Sequence, residues 1–147
     1  MTIIEVIKNK KQFLSLLLLA DEQENMIDRY LKRGTMYVLD DNGVKAECVV
    51  ADEGDGILEI KNIATVPEYQ GKGYAKALID FIVKEYADKY SVLQVGTGDS
   101  PLTVPFYEKC GFVRSHIIPN FFTDNYDHPI FECGVKLMDM VIFQRNL

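Results

Sequence analysis

The run Asn62-Ile63-Ala64-Thr65-Val66-Pro67-Glu68-Tyr69-Gln70-Gly71-Lys72-Gly73-Tyr74-Ala75-Lys76 decides how this chain is read. Its first part is a β-branched stretch that ends at a Pro67-marked turn, and its second part carries glycines at 71 and 73. Beyond them Ala75, Leu78, Ile82 and Tyr86 recur at three- to four-residue spacing, with Lys76, Asp80, Lys84 and Asp88 on another face. The pattern predicts a strand, a turn and the start of an amphipathic helix. At a helix start the first backbone N–H groups lack partners and the positive end of the dipole faces outward, which makes an anion site. Glycines there let phosphates approach without a Cβ in the way, and Lys72 and Lys76 add local positive charge. A phosphorylated cofactor suits such a turn better than a carboxylate.

Two phosphate-binding patterns are excluded by what stands at neighbouring positions. A Walker loop ending in Gly71-Lys72 requires glycine where Val66 stands and Ser or Thr where Gly73 stands. A dinucleotide fingerprint beginning at Gly71 requires a small residue in place of Lys76 and opens the first β-α unit of a parallel sheet. Here the turn follows what reads as a meander.

Outward toward the N-terminus, residues 2–7 read as a strand, and the spacing of Phe13, Leu14, Leu16, Leu17 and Leu18, then of Met26, Ile27, Tyr30 and Leu31, predicts two helices stopped near Gly34. Residues 36–39 and 44–51 flank an Asn42-Gly43 hairpin signal, and a second tight turn at 53–56 leads into 57–65, giving three antiparallel strands. Toward the C-terminus, 91–95 reads as a strand, 104–109 as a helix stopped by Gly111, and 112–117 and 138–144 as closing strands. The expected fold is one α/β (α+β) domain over residues 1–147, with a mixed central sheet of about seven strands flanked by helices. Residues 119–134, with several aromatics, His128 and two prolines, read as an irregular stretch long enough to be a functional wall.

Composition removes several classes of function. The chain has 147 residues, too few for two ordinary domains of ~100–200 each, and is 48% hydrophobic and 26% charged, which excludes disorder and fibrous repeats. Its net charge of −6, from 16 Lys and Arg against 22 Asp and Glu, leaves no basic footprint for nucleic acid. The longest apolar run, residues 16–20, falls far below the ~20 residues of a membrane span, and no basic region precedes an apolar one at the start. Cys48, Cys110 and Cys133 are widely spaced, with only His116 and His128 as nitrogen ligands, so no zinc or other metal is expected and a reducing cytoplasm fits.

The hexad Gln70-Gly71-Lys72-Gly73-Tyr74-Ala75 resembles the Q/R-x-x-G-x-G/A signature of the GNAT acetyltransferase superfamily. A second element of that family, an aromatic-Tyr-Glu run closing on Gly-Phe, is matched by Phe106-Tyr107-Glu108-Lys109-Cys110-Gly111-Phe112. The expected strand order is similar to the family's from end to end, and residues 121–132 are similar to tails of a small bacterial subgroup of unassigned substrate.

The resemblance implies acetyl-CoA as donor, with its pyrophosphate on Gln70, Gly71, Lys72, Gly73, Tyr74, Ala75 and Lys76. It implies that the pantetheine arm pairs with Ile63, Ala64 and Thr65, and that this strand splays from its parallel neighbour to seat the thioester. Tyr107 occupies the place of the tyrosine that protonates the leaving thiolate. Many members have asparagine shortly before that tyrosine, contacting CoA; this chain has Asp99 and Ser100, of which Ser100 is the candidate for the contact.

Transfer to an amine needs a neutral nucleophile, and a lysine-like amine with pKa ~10.4 is protonated at neutral pH, so a base or a water chain is required. Glu59 aligns with the base of histone-type members; on a half-solvated sheet it is equally an ordinary surface residue. The acidic balance, with Asp124, Asp127 and Glu132 among aromatics Phe121, Phe122 and Tyr126, favours a cationic amine acceptor. His116 and His128 are weaker acceptor candidates, and Cys110 lacks a His/Asn constellation that would make it a nucleophile. The expected activity is N-acetylation of a small molecule or peptide by direct attack. A catalytically silent acyl-CoA-binding domain and an O-acetyl or other acyl transferase are the alternatives, and family habit implies a homodimer as partner.

Overall fold

The computed structural model describes residues 1–147. Strand β1 (Thr2–Val6) is followed by a 3-10 turn at Lys10–Phe13, helix α1 (Leu14–Ala20) and the single-turn helix α2 (Glu24–Ile27). Strands β2 (Thr35–Asp40), β3 (Val44–Asp52) and β4 (Ile57–Thr65) form the expected meander. A 3-10 turn at Pro67–Tyr69 then leads to α3 (Tyr74–Tyr86), β5 (Val92–Gly98), α4 (Val104–Lys109) and β6 (Val113–Ile118). Helix α5 (Phe121–Asn125), the two-residue strands β7 (Phe131–Glu132) and β8 (Val135–Lys136), and β9 (Met140–Asn146) complete the chain.

The main sheet has seven strands in the order β1-β2-β3-β4-β5-β9-β6, and only β4 and β5 run parallel. That parallel pair needs a crossover, which α3 supplies. Leu78, Ile79 and Ile82 of α3 pack against Leu58, Ile60, Leu93 and Val95 on one face, each such burial stabilising by about 1.5–3 kcal/mol. Leu17, Ile27 and Leu31 cover the other face over Met36, Val38 and Val49. No helix is long and apolar enough to cross a membrane.

Three sequence expectations need correction. The helix read through Leu31 ends at Ile27; Met26, Ile27, Tyr30 and Leu31 are buried as the spacing requires, but the chain continues as turns, with Lys10 Nζ donating to the Leu31 and Gly34 carbonyls at 2.9 and 2.7 Å. Residues 119–134 are not structureless: they hold α5 and begin a small hairpin, β7 on β8, around an apolar cluster of Phe122, Ile130 and Leu137. The strand read at 91–95 runs on to Gly98, because β9 pairs with it along its whole length.

That last point shapes the site. The β4–β5 ladder joins only Ile57–Ile60 to Val92–Val95. Beyond it β4 stays on β3 as far as Thr65, and β5 stays on β9 as far as Gly98. The two strands therefore part into a gap, as expected. A β-bulge sits at the parting point: Val50 opposes Ile60 while Val49 opposes Asn62, leaving Lys61 as the extra residue. Bulges bend and twist the strand that bears them.

Candidate functional site

The free edge of β4 leads directly into the glycine turn. Gly71 and Gly73 have φ of +78° and +87°, a region that residues with a Cβ adopt only with strain, and nothing else in the chain lies within 4 Å of where their Cβ atoms would stand. Gly73 caps the thirteen-residue α3 without any side-chain hydrogen bond to its first amides. These amides are therefore free for an anion.

The side chains around this turn divide into two groups. Gln70 folds back, its Nε2 donating to the Thr65 carbonyl at 3.3 Å, Tyr74 donates to Asp41 Oδ2 at 2.6 Å, and Lys76 pairs with Asp80 one helical turn on. These three hold the turn. Lys72 makes no ion pair, and its ammonium lies 5.3 Å from the Tyr69 ring centre, with that of Lys45 at 4.2 Å on the same ring. Sequence reading missed Lys45, which the hairpin brings to the turn from β3. Ala75 is half-buried behind it, and Ile63, Ala64 and Thr65 form the unpaired edge of β4.

Tyr107, on α4, is buried against Phe106, Phe112 and Phe143, and burial holds its hydroxyl protonated well beyond the ordinary tyrosine range. It belongs to the apolar cluster on the α3 side of the sheet, with Cys48 and Cys110. Ser100, at the end of β5, is buried and bonds Glu132, while exposed Asp99 turns to Arg114 at 3.2 Å.

Glu59 faces the other side and stands opposite Gln94 in the part of the β4–β5 ladder that is still closed. Its carboxylate is already held: Lys61 Nζ donates to one oxygen, and Gln94 Nε2 donates to the other at 2.6 Å. Gln144 in turn donates to Gln94 at 2.7 Å.

The far side of the gap is closed by a clasp. Segment 119–137 lies on the turn between α1 and α2, where Tyr126 donates to Asp21 Oδ1 at 2.6 Å and Tyr30 donates to Asp21 Oδ2 at 2.9 Å. His128 bridges Glu22 at 3.0 Å and Asp127 at 2.5 Å, the Asp127 amide donates to Gln23 at 3.0 Å, and Arg29 donates to Asn125 at 3.0 Å. Burial raises the Asp21 carboxyl above its usual range despite the two tyrosine donors, and the hydrogen bonds to Asp127 and Glu22 raise His128. Of the acceptor candidates, Tyr126, Asp127, His128 and Glu132 thus join the clasp or the gap, Asp124 is exposed on α5, and His116 lies on the exposed edge strand β6.

Sequence reading also missed a buried polar pair. Asn62 is 3% exposed; its Nδ2 donates to the Leu17 carbonyl and to the Tyr30 hydroxyl, both at 3.0 Å, and its Oδ1 has no partner. Glu47 is wholly buried, and neither carboxyl oxygen has a hydrogen-bond partner of ordinary geometry. Burial pushes its carboxyl well above the usual range, with the Ala64 amide acting weakly against that. The one signal in the sequence was a lone acid inside the apolar run 44–51.

Comparison with known proteins agrees with this arrangement. Residues 32–114 match the family description of an acetyltransferase (GNAT) domain. The chain is 36% identical over 129 residues to an uncharacterized N-acetyltransferase, YvbK, of Bacillus subtilis strain 168, covering 86% of this chain and 83% of that one. It is similar to a GNAT family acetyltransferase from Elizabethkingia anophelis solved with acetyl-CoA bound, at 34% identity and a TM-score of 0.93, covering 99% and 97% of the two chains. It is also similar to an acetyltransferase of Bacillus subtilis in complex with CoA, at 33% identity and a TM-score of 0.88, with 99% and 97% covered.

Proposed function

Since the chain belongs to the GNAT acetyltransferase family, we propose that it is an acetyl-CoA-dependent N-acetyltransferase that passes the acetyl group directly to a primary amine of a small molecule or peptide. The observation that carries this reading is the continuity of the free β4 edge beyond Ile60 with the uncapped, glycine-opened start of α3. An extended pantetheine arm adds to Ile63, Ala64 and Thr65 as a further strand would. The pyrophosphate then meets the amides of residues 71–76, with Lys72 and Lys45 as the cations that no carboxylate holds. Relatives solved with acetyl-CoA and with CoA support the same donor here.

The thioester carbonyl lies in the gap in this reading. A neutral amine attacks it, the C–S bond breaks, and the electron pair leaves on sulfur. Tyr107, kept protonated by burial, faces the developing thiolate as a hydrogen-bond and proton donor. Ser100 lines the end of β5 and is tied to Glu132 from the acceptor side. Glu59 remains the base suggested by family resemblance, with Lys61 and Gln94 each donating to one of its oxygens. A cationic acceptor is supported by the net charge of −6 and by Asp21, Glu22, Asp127 and Glu132 on the acceptor side.

The test is a panel of primary amines with acetyl-CoA, reading CoA release and acetylated product. Saturable turnover with at least one amine is the expected result. Acetyl-CoA binding without turnover on any amine, or transfer confined to hydroxyl acceptors, would replace this reading with the silent-domain or O-acetyl one.

A further inference from the structure

Two carboxyls near the gap differ in kind. Glu59 is held by a cation and an amide, one on each oxygen, and stands where β4 and β5 are still paired. Glu47, on β3, is wholly buried one strand back from the gap, opposite Ala64 in the part of β4 that has left β5, and no cation touches it. Cross-strand register places it between Val38 and Ala64 on the face that α1 covers, two pairs along from Val49 and Asn62 and so on the same face as them. Its two oxygens and Asn62 Oδ1 are three buried acceptors that lack a hydrogen bond of ordinary geometry on one small patch of sheet, the Ala64 amide being the one donor near Glu47. Buried acceptors in folded proteins are nearly always satisfied, so this patch calls for a donor-rich group such as a bridging water or an ammonium. Ala64, the β4 residue directly opposite Glu47, belongs to the strand edge that faces the gap.

We propose that Glu47 is the proton acceptor of the reaction, working through one water shared with Asn62 Oδ1. The proposal rests on the amine-acetyltransferase reading above. The ammonium of the acceptor gives a proton to the water, which passes one of its own to the Glu47 carboxylate. The freed nitrogen lone pair forms the C–N bond, the C–S bond breaks, the thiolate takes the Tyr107 hydroxyl proton, and the second amine proton restores Tyr107 as the intermediate collapses. Glu47 returns its proton to solvent once product leaves. Base and leaving-group donor then stand on opposite faces of the sheet, Glu47 on the α1 side and Tyr107 on the α3 side. The titratable groups that Glu47 reaches electrostatically are Tyr30, Cys48 and Tyr107; none is a cation that would hold its carboxylate. Asn62 acts as a positioning residue, fixed by the Leu17 carbonyl and the Tyr30 hydroxyl.

The experiment compares wild type with Glu47→Gln, Glu47→Asp and Glu59→Gln, using ethylamine and its neutral analogue trifluoroethylamine as truncated acceptors. Acetyl-CoA affinity and thermal midpoint are measured on the same samples. Glu47→Gln should lower kcat/KM for ethylamine by roughly 10²–10⁴ and erase the acidic limb of its pH profile, with acetyl-CoA affinity and folding retained. The loss should shrink for trifluoroethylamine, which is unprotonated near neutral pH and has no ammonium proton to shed before attack. Glu47→Asp should be slower than wild type yet keep the limb, and Glu59→Gln should keep it too. An unchanged limb in Glu47→Gln, its disappearance in Glu59→Gln instead, or equal losses with both amines would overturn the proposal while leaving acetyl transfer standing. A wild-type protein that binds no acetyl-CoA would bring down the transferase reading and this proposal with it.

Discussion

The two sides of the β4–β5 gap are made of different material. The donor side is backbone: an unpaired strand edge and the amides at a helix start, shaped by two glycines at positive φ. The side proposed for the acceptor is side chains: Asn62, Tyr30, Asp21 and Tyr126 joined end to end, with His128, Glu22 and Asp127 beside them. Backbone recognition tolerates sequence change and suits a constant cofactor. A chain of side-chain hydrogen bonds is re-tuned by each substitution, and suits discrimination between ligands.

If this division is real, changes on one side should leave the other intact. The largest effect is expected where the two meet. Tyr107→Phe should lower kcat by something like 10²–10⁴ while acetyl-CoA affinity hardly changes, because in the proposed reaction the hydroxyl acts on the leaving sulfur. Equal losses in rate and affinity would make Tyr107 a packing residue and blur the boundary.

An intermediate effect should come from Asp21→Asn. Two tyrosine hydroxyls lose their charged acceptor, and hydrogen bonds to charged groups contribute about 1.5–3 kcal/mol each. A lowered thermal midpoint and a raised acceptor KM are expected, with calorimetric acetyl-CoA affinity unchanged. A parallel fall in acetyl-CoA affinity would show that the clasp supports the donor side as well.

The smallest effect concerns pH. His128 binds its proton more tightly in the folded clasp than in the unfolded chain. Its contribution is therefore fully present below the usual histidine value of about 6.5 and is lost as pH rises through the raised folded value. Proteolytic nicking of segment 119–137 should accelerate across that window in wild type and not in His128→Gln. Glu47 also has a raised folded value, so its burial costs nothing below the ordinary glutamate range and progressively more above it. The thermal midpoint of Glu47→Gln should thus overtake wild type as pH rises, a difference absent if the carboxyl finds a cation in solution.

The same contrast explains what could be read from the sequence. The donor side was legible because its parts are contiguous: Thr65, Pro67, Gly71, Gly73 and the apolar stripe of α3 follow one another within one local pattern. The parting of β4 from β5 was expected only through family resemblance, since its structural marks are a bulge at Lys61 and a ladder that stops at Ile60, and neither leaves a local signal. The acceptor side depends on contacts such as Tyr126 with Asp21 and His128 with Glu22, made between residues more than a hundred positions apart. The short α2 was over-read for a related reason. Met26, Ile27, Tyr30 and Leu31 bury as a helix would, but Lys10 caps the Leu31 and Gly34 carbonyls and lets the backbone turn early.

The central claim, that the Gly71–Gly73 turn holds the phosphates of acetyl-CoA, is tested most directly by calorimetric titration of acetyl-CoA into wild type and Gly73→Val. Gly73 is exposed, with open space around it, so the variant should fold. A Cβ there forces φ away from +87° and stands between the α3 amides and the pyrophosphate. Wild type should bind acetyl-CoA, and the variant should lose at least about tenfold in affinity, the equivalent of a single charge-assisted hydrogen bond of about 1.5 kcal/mol. Equal affinity in the two proteins would contradict the account.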